Sequence, residues 1–260
     1  MMRFDLHTHT TYCDGRNTPE EMVRAALDKG LECIGFSGHG YAPYDTDCCM
    51  TPDGAAAYRA EIAALREKYA GRIRILCGVE QDYWSEASTA EYDYVIGSVH
   101  YVRKDGVMLC VDNTPGITRA AVDERFGGDW YALCEAYFDT VGDVVRKTGC
   151  QIIGHFDLVS KFNEKERFFD EQDPRYVAAW RAALDRLLET GVPFEINTGA
   201  MSRGWRTAAY PGADMIAYIR DRGGKLLLSS DSHSDKTLCF GFEAYEHLGD
   251  CLIKNVEAII

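Results

Sequence analysis

Basic residues are scarce in this chain. Its 260 residues include 28 Lys+Arg against 41 Asp+Glu, a formal net charge of −13. A surface that grips nucleic acid non-specifically needs a basic stripe, so that class of partner is disfavoured. The same charge repels small anions at long range, and an enzyme for such substrates would need a locally positive pocket. No apolar run approaches the roughly 20 residues of a membrane span. The start, Met1-Met2-Arg3-Phe4-Asp5, lacks the apolar stretch of a secretory leader. A cytoplasmic protein with no membrane partner is expected. Cys-x-x-Cys pairs are also missing, and the ten cysteines are scattered. That usage suits reduced thiols serving as small hydrophobes better than a disulfide framework. Linkers, low-complexity tracts and short-period repeats are absent as well, so residues 1–260 read as one domain.

One regularity is present. Five times a helix-like segment ends in glycine and an apolar run follows: Gly30 before LECIGF, Gly71 before RIRILCG, Gly149 before CQIIG, Gly191 before VPFEI, and Gly223 before GKLLLS. Glycine suits the left-handed position just past a helix because it has no Cβ to clash. Short apolar runs are the mark of buried parallel strands. Helix starts are marked by Thr18-Pro19-Glu20-Glu21, Thr51-Pro52-Asp53 and Asp173-Pro174, each offering a cap followed by proline. RFDLH at the start and YDYVIGSV at 92–99 bring the strands to seven. Alternation of strands and helices predicts right-handed βαβ units and a parallel sheet.

Polar residues recur at the C-terminal ends of these strands: His7 and His9, His39, Glu80, His100, His155, Asn197, Asp231 and His233. An open sheet would spread them along its whole edge. A closed barrel gathers them on one face, so a barrel is the better fit.

The chemistry these residues suggest is metal binding. His7 and His9, two apart on a strand, point the same way and can grip one ion. Asp231 and His233 repeat that spacing after LLLSS. Glu80 ends a buried strand, where an unpaired carboxylate is costly, and a carboxylate can bridge two cations. His100 and His155 close IGSVH and QIIGH. Asp14 lies in a tight CDG turn, and His39 lies between glycines that let a backbone approach a ligand. His247 reads as a surface residue in a helix around EAYEHLG. Arg203 and Arg206, in the turn-rich stretch after VPFEI, should sit on the rim with the histidines, where guanidinium suits phosphate. Lys161 is a candidate on the same argument.

Taken in order, His7-x-His9, Asp14, His39, G-x-E at Glu80, S-V-H at His100, G-H at His155 and S-D-x-H at 230–233 resemble the PHP (polymerase and histidinol phosphatase) family nearly end to end. GSVHYV, HFDLVSKFN and EINTGAMSRG are similar to its monofunctional histidinol-phosphate phosphatases. The resemblance implies a distorted (β/α)7 TIM-like barrel with a trinuclear centre of divalent Zn, Mn or Fe. By position, the first ion takes His7, His9, Glu80 and Asp231. Glu80 bridges to a second held by His100 and His155. A third takes Asp14, His39 and His233. Asp14 stands where many members have histidine, and Gly38 where an acidic residue often precedes the histidine.

The activity implied is hydrolysis of a small phosphorylated metabolite, L-histidinol phosphate, with Arg203 and Lys161 on the phosphate. Asp231 or His233 would be the general acid. Alternatives are a related phosphoesterase for nucleotides, DNA ends or phosphotyrosine, a metal-dependent amidohydrolase, and a non-enzymatic metal-binding or regulatory protein with a decayed site. Glu80 at the bridging position argues against the amidohydrolase, whose bridging ligand is normally a lysine. Competent side chains at every ligand position argue against the last. The sequence leaves the oligomeric state open.

Overall fold

The computed structural model describes residues 3–260; Met1 and Met2, the first residues of the segment read for a leader, lie outside them. The strands are β1 (Phe4–Asp5), β2 (Cys33–Phe36), β3 (Arg74–Asp82), β4 (Tyr94–Ser98), β5 (Tyr101–Lys104), β6 (Val107–Cys110), β7 (Ile152–Ile153), β8 (Phe194–Asn197) and β9 (Leu226–Ser229). The helices are α1 (Pro19–Asp28), α2 (Pro52–Lys68), α3 (Pro115–Phe126), α4 (Trp130–Val141), α5 (Val144–Thr148), α6 (Asn163–Glu166), α7 (Pro174–Leu188), α8 (Gly199–Ser202) and α9 (Ala213–Asp221).

All seven expected strands form one parallel sheet in the order β1-β2-β3-β4-β7-β8-β9. The two edges meet just beyond the strand ends. Thr8 bridges Ser232 in parallel, with His9 N donating to Ser232 O at 2.8 Å and Ser232 N donating to His7 O at 3.1 Å. The architecture is a distorted (β/α)7 barrel. It is drawn shut at the C-terminal mouth, by the same backbone that carries His7, His9, Asp231 and His233.

Local signals explain the helices. Thr18 and Glu21 form a capping box on α1: Thr18 Oγ1 accepts from Glu21 N at 3.3 Å and Glu21 Oε2 accepts from Thr18 N at 2.9 Å. Thr51 caps α2 and Asp173 caps α7, each followed by proline. The five glycines read as helix stops all have φ between +66° and +77°.

Inside the barrel, Tyr94 joins Leu6, Leu76, Ile96, Ile152 and Leu227 in a buried layer. Its hydroxyl and ring fill the space that side chains at Gly35 and Gly78 would need, since a Cβ at Gly35 would approach the hydroxyl to 2.4 Å and one at Gly78 the ring to 2.3 Å. Above this layer the inward positions of β3 and β4 turn polar. Glu80, Asp82 and Ser98 share the inner face with Leu76, Tyr94 and Ile96, by the two-residue period of a strand.

The structure differs from the sequence reading in two places, the first of them at the site. An antiparallel hairpin, β5–β6, follows β4, turned by Asp105 and Gly106 with φ of 50° and 80°. Positive φ at both central residues is the twist-matched hairpin geometry, and Asp-Gly supplies it. The helix expected around His247 is a run of 3₁₀ turns, interrupted at Gly249 where the backbone leaves helical space.

Candidate metal centre and phosphate cleft

Glu80 lies near the end of β3, the histidines and Asp231 follow strand ends, Asp14 sits in the turn beyond β1, and the barrel brings them together. Glu80 is the hub. Its Oε2 is 3.2 Å from His7 Nε2, 3.5 Å from His9 Nε2 and 3.1 Å from His39 Nδ1. Its Oε1 faces the other way, 2.8 Å from His155 Nε2 and 3.3 Å from His100 Nε2. Asp231 Oδ1 lies 3.3 Å from His9 Nε2 and 3.8 Å from His7 Nε2. A third group gathers around Asp14: His233 Nε2 at 3.1 Å, His9 Nδ1 at 3.5 Å and His39 Nε2 at 3.7 Å.

These spacings suit cations between the donors. Ligands about 2.05 Å from a tetrahedral ion sit roughly 3.3 Å from one another. His7 Nε2, His9 Nε2 and Glu80 Oε2 are buried and make no hydrogen bond. Three such orphans aimed at one point would be costly unless an ion resolves them. The donor set of imidazoles and carboxylates fits divalent transition ions. Donor atoms lie within ion-holding range in three groups: His7, His9 and Glu80; His39, Glu80 and His100; and His9, Asp14, His39 and His233. His39 therefore stands between the second and third groups, one ring nitrogen toward each.

Electrostatics are shared across the cluster. Burial works to lower the pKa of His7, but the charges of Glu195, Glu80 and Asp231 outweigh it and raise it well above its ordinary value. His100 is raised likewise against burial, chiefly by Glu80 and Asp82. His9 goes the other way, lowered to about 3 by burial and by the neighbouring His233 and His39. Glu80 is held well below the usual carboxylate range, His7, His39 and His100 overcoming its burial. Cation binding in this network releases protons.

Two supporting carboxylates were missed at the sequence level. Glu195, on β8 and 1% exposed, places Oε1 2.5 Å from His7 Nδ1, while its Oε2 accepts from His155 N at 3.1 Å and Asn197 Nδ2 at 2.8 Å. That contact fixes the His7 tautomer with Nε2 free for an ion. Asp82 Oδ2 accepts from His100 N at 2.9 Å and lies 3.3 Å from His100 Nδ1. Both signals were available: Asp82 is two residues beyond Glu80 on the same face, and Glu195 is a carboxylate inside an apolar run. Near the third group, a Cβ on Gly38 would lie 3.3 Å from Cys13 Sγ and 3.4 Å from Met50 Cε. Those two side chains close the space an acidic residue there would use.

The cluster floors a cleft of about 290 Å3. Arg203 lines it, Nη2 donating to Asp231 Oδ2 at 2.9 Å and Nη1 to the Asp231 carbonyl at 3.1 Å. Lys161 lines it too, its Nζ donating to the Asp112 carbonyl at 2.7 Å and Oδ2 at 3.1 Å. The hairpin supplies Tyr101 and Cys110 to the wall. Arg206 does not reach the cleft. Its guanidinium turns inward, Nη1 lying 3.3 Å from Asp157 Oδ2, and both side chains are almost fully buried. His247 is exposed and apart from the site, as expected.

Among the described residues, no helix is long and apolar enough to cross a membrane. The model of the PHP domain family matches residues 5–199. A Deinococcus radiodurans protein named "Probable histidinol-phosphatase" is 33% identical over 256 residues, covering 92% of this chain and 89% of that one. A crystal structure from Listeria monocytogenes superposes with a TM-score of 0.82 at 19% identity, covering 94% of this chain and all of that one. A Lactococcus lactis histidinol phosphate phosphatase, solved with zinc, L-histidinol and phosphate, superposes at 0.65 with 22% identity, covering 95% and 92%. By its family match and its end-to-end relative, with the ordered His, Asp and Glu positions all converging on one barrel mouth, the chain belongs to the PHP family.

Proposed function

We propose that this chain is a metal-dependent phosphomonoesterase that hydrolyses L-histidinol phosphate to L-histidinol and inorganic phosphate. The carrying observation is the Glu80-centred donor cluster at the floor of a cleft that also holds Arg203 and Lys161. The substrate name comes from the Deinococcus radiodurans relative, and the Lactococcus lactis enzyme supports the same reading.

The residues fit two or three divalent ions, with Zn, Mn and Fe all compatible with the donors. His7, His9, Glu80 and Asp231 would hold the first, Glu80, His100 and His155 the second, and Asp14, His39 and His233 the third. When bound, such ions make the attacking water more acidic and offset charge on the phosphoryl oxygens. Arg203 offers its planar fork to those oxygens, and Lys161, lining the same cleft, adds a point charge. Water adds to phosphorus as the P–O bond to the alcohol breaks, and the alkoxide takes a proton. Asp231 and His233 both line the cleft as candidate donors, His233 only while the third ion is absent, since an ion-bound imidazole nitrogen carries no proton. Burial acts to raise the Asp231 pKa, but Arg203 and His7 hold it well below its ordinary value, so it stays a carboxylate. The single domain spans residues 1–260, and the work is cytoplasmic.

The test assays histidinol phosphate against a panel with a nucleotide and phosphotyrosine, with metal content measured on the same sample. Preference for histidinol phosphate supports the reading. Faster turnover of a nucleotide would replace the substrate and keep the chemistry.

A further inference from the structure

Arg206 and Asp157 form a charge pair in which the side chains are 7% and 0% exposed, with Arg206 Nη1 3.3 Å from Asp157 Oδ2. The same guanidinium donates to Ser160 Oγ and lies over the Tyr210 ring, 4.6 Å from its centroid. Asp157 Oδ2 also accepts from Ser160 Oγ and from the Gly212 amide, each at 3.2 Å. Neither Arg206 nor Asp157 lines the cleft. A buried ion pair is weak evidence for stability, because removing two charges from water costs about as much as their attraction returns. Its position is more informative.

These contacts join two segments. One follows β7 and carries His155 and Lys161. The other follows β8 and carries Arg203, whose turn is closed by Trp205 N and Arg206 N on the Ala200 carbonyl at 2.9 and 3.3 Å. Lys161 is the residue after Ser160, and Arg203 is three before Arg206. Each cation also has its own tether, Lys161 to Asp112 and Arg203 to Asp231. The buried pair ties the two cation-bearing segments together at their bases, while the tethers orient each side chain, and it does so without lining the cleft.

We propose that Arg206 and Asp157 are positioning residues for the substrate's phosphoryl group, holding Lys161 and Arg203 at a fixed span across the cleft. This rests on the reading of Lys161 and Arg203 as phosphate contacts. Loosening the pair leaves both cations present but less well placed. Affinity for phosphate suffers before chemistry does.

The test compares wild type, Arg206→Met and Arg206→Lys, all loaded with zinc. It reads KM and kcat for L-histidinol phosphate, the Kd of inorganic phosphate by calorimetry, and zinc per chain. Arg206→Met should raise KM and the phosphate Kd about tenfold, with kcat within about threefold and zinc per chain unchanged. Arg206→Lys, which keeps charge but not the fork, should move the same constants less, and it carries the test if Arg206→Met does not fold. Unchanged KM and phosphate Kd beside a lower Tm would reduce the pair to a structural contact and overturn the proposal. Zinc lost in step with activity would also overturn it, assigning the pair to the metal cluster. Phosphate binding is read without the ester. A wild type that binds phosphate but leaves histidinol phosphate intact would therefore sink the substrate reading alone, with the pair still tested.

Discussion

The site has an inner and an outer part, and they are built differently. Inside, His7, His9, Glu80 and His155 are almost fully buried. His7 is clamped from behind by Glu195. Outside, the side chains of Asp14, His233 and His39 are 29%, 24% and 16% exposed, and the buried carboxylates beside His39 and His233 are the proposed ligands Glu80 and Asp231 themselves. Burial raises the cost of an unmatched donor, so the inner group is committed to its ligand, whereas solvent can satisfy the outer group between occupants. Tight, permanent ions are expected inside and an exchangeable one outside.

The comparison can be broken most severely at its hub. Glu80→Gln removes one carboxylate from both inner groups at once, and turnover should fall by about 10³-fold or more, with circular dichroism near native. Full activity in this variant would end the metal assignment. Glu195→Gln leaves every proposed ligand in place and weakens the clamp on His7, together with the contacts to His155 N and Asn197 Nδ2. A loss of roughly 10- to 100-fold in zinc affinity or activity is expected, measured by competition with a chelator. Equal affinity to wild type would show the inner group to be set by the ligands alone.

Acidification should separate the two parts more gently. Protons on His7 and His100, whose pKa values are raised, must leave when an ion enters, so inner-site affinity rises with pH and falls as pH drops. His9, near 3, stays neutral through this range and adds no dependence of its own. Zinc titrations between about pH 5 and about pH 8 check the slope, and a flat profile would contradict the charge balance described. The mildest change is Asp14→Asn. It should remove one ion per chain and cost about tenfold in kcat, while the two inner ions remain. Loss of all ions would show the outer group to be part of one unit with the inner.

Much of this arrangement was legible in the sequence because ligand chemistry restricts residue type. His7-x-His9, Glu80 and Asp231-x-His233 stand out as polar residues ending apolar runs, and the five helix-stopping glycines mark where five of the seven strands begin. Glu195 escaped because VPFEIN reads as a buried strand, and only the barrel's curvature shows which side its carboxylate faces. The β5–β6 hairpin was hidden behind the regular alternation of helix and strand, though Asp105-Gly106 was its signal. Arg203 and Arg206 are indistinguishable by type and spacing. Which one meets the cleft is decided by Asp157, 49 residues earlier in the chain than Arg206. Tertiary partners settle what local pattern leaves open.

The most direct test of the central claim follows phosphate release from L-histidinol phosphate as chelator-stripped protein is refilled with zinc. Activity should vanish on stripping and return as the inner ions are restored. Undiminished release by the stripped protein, or none by the refilled protein, would contradict the account.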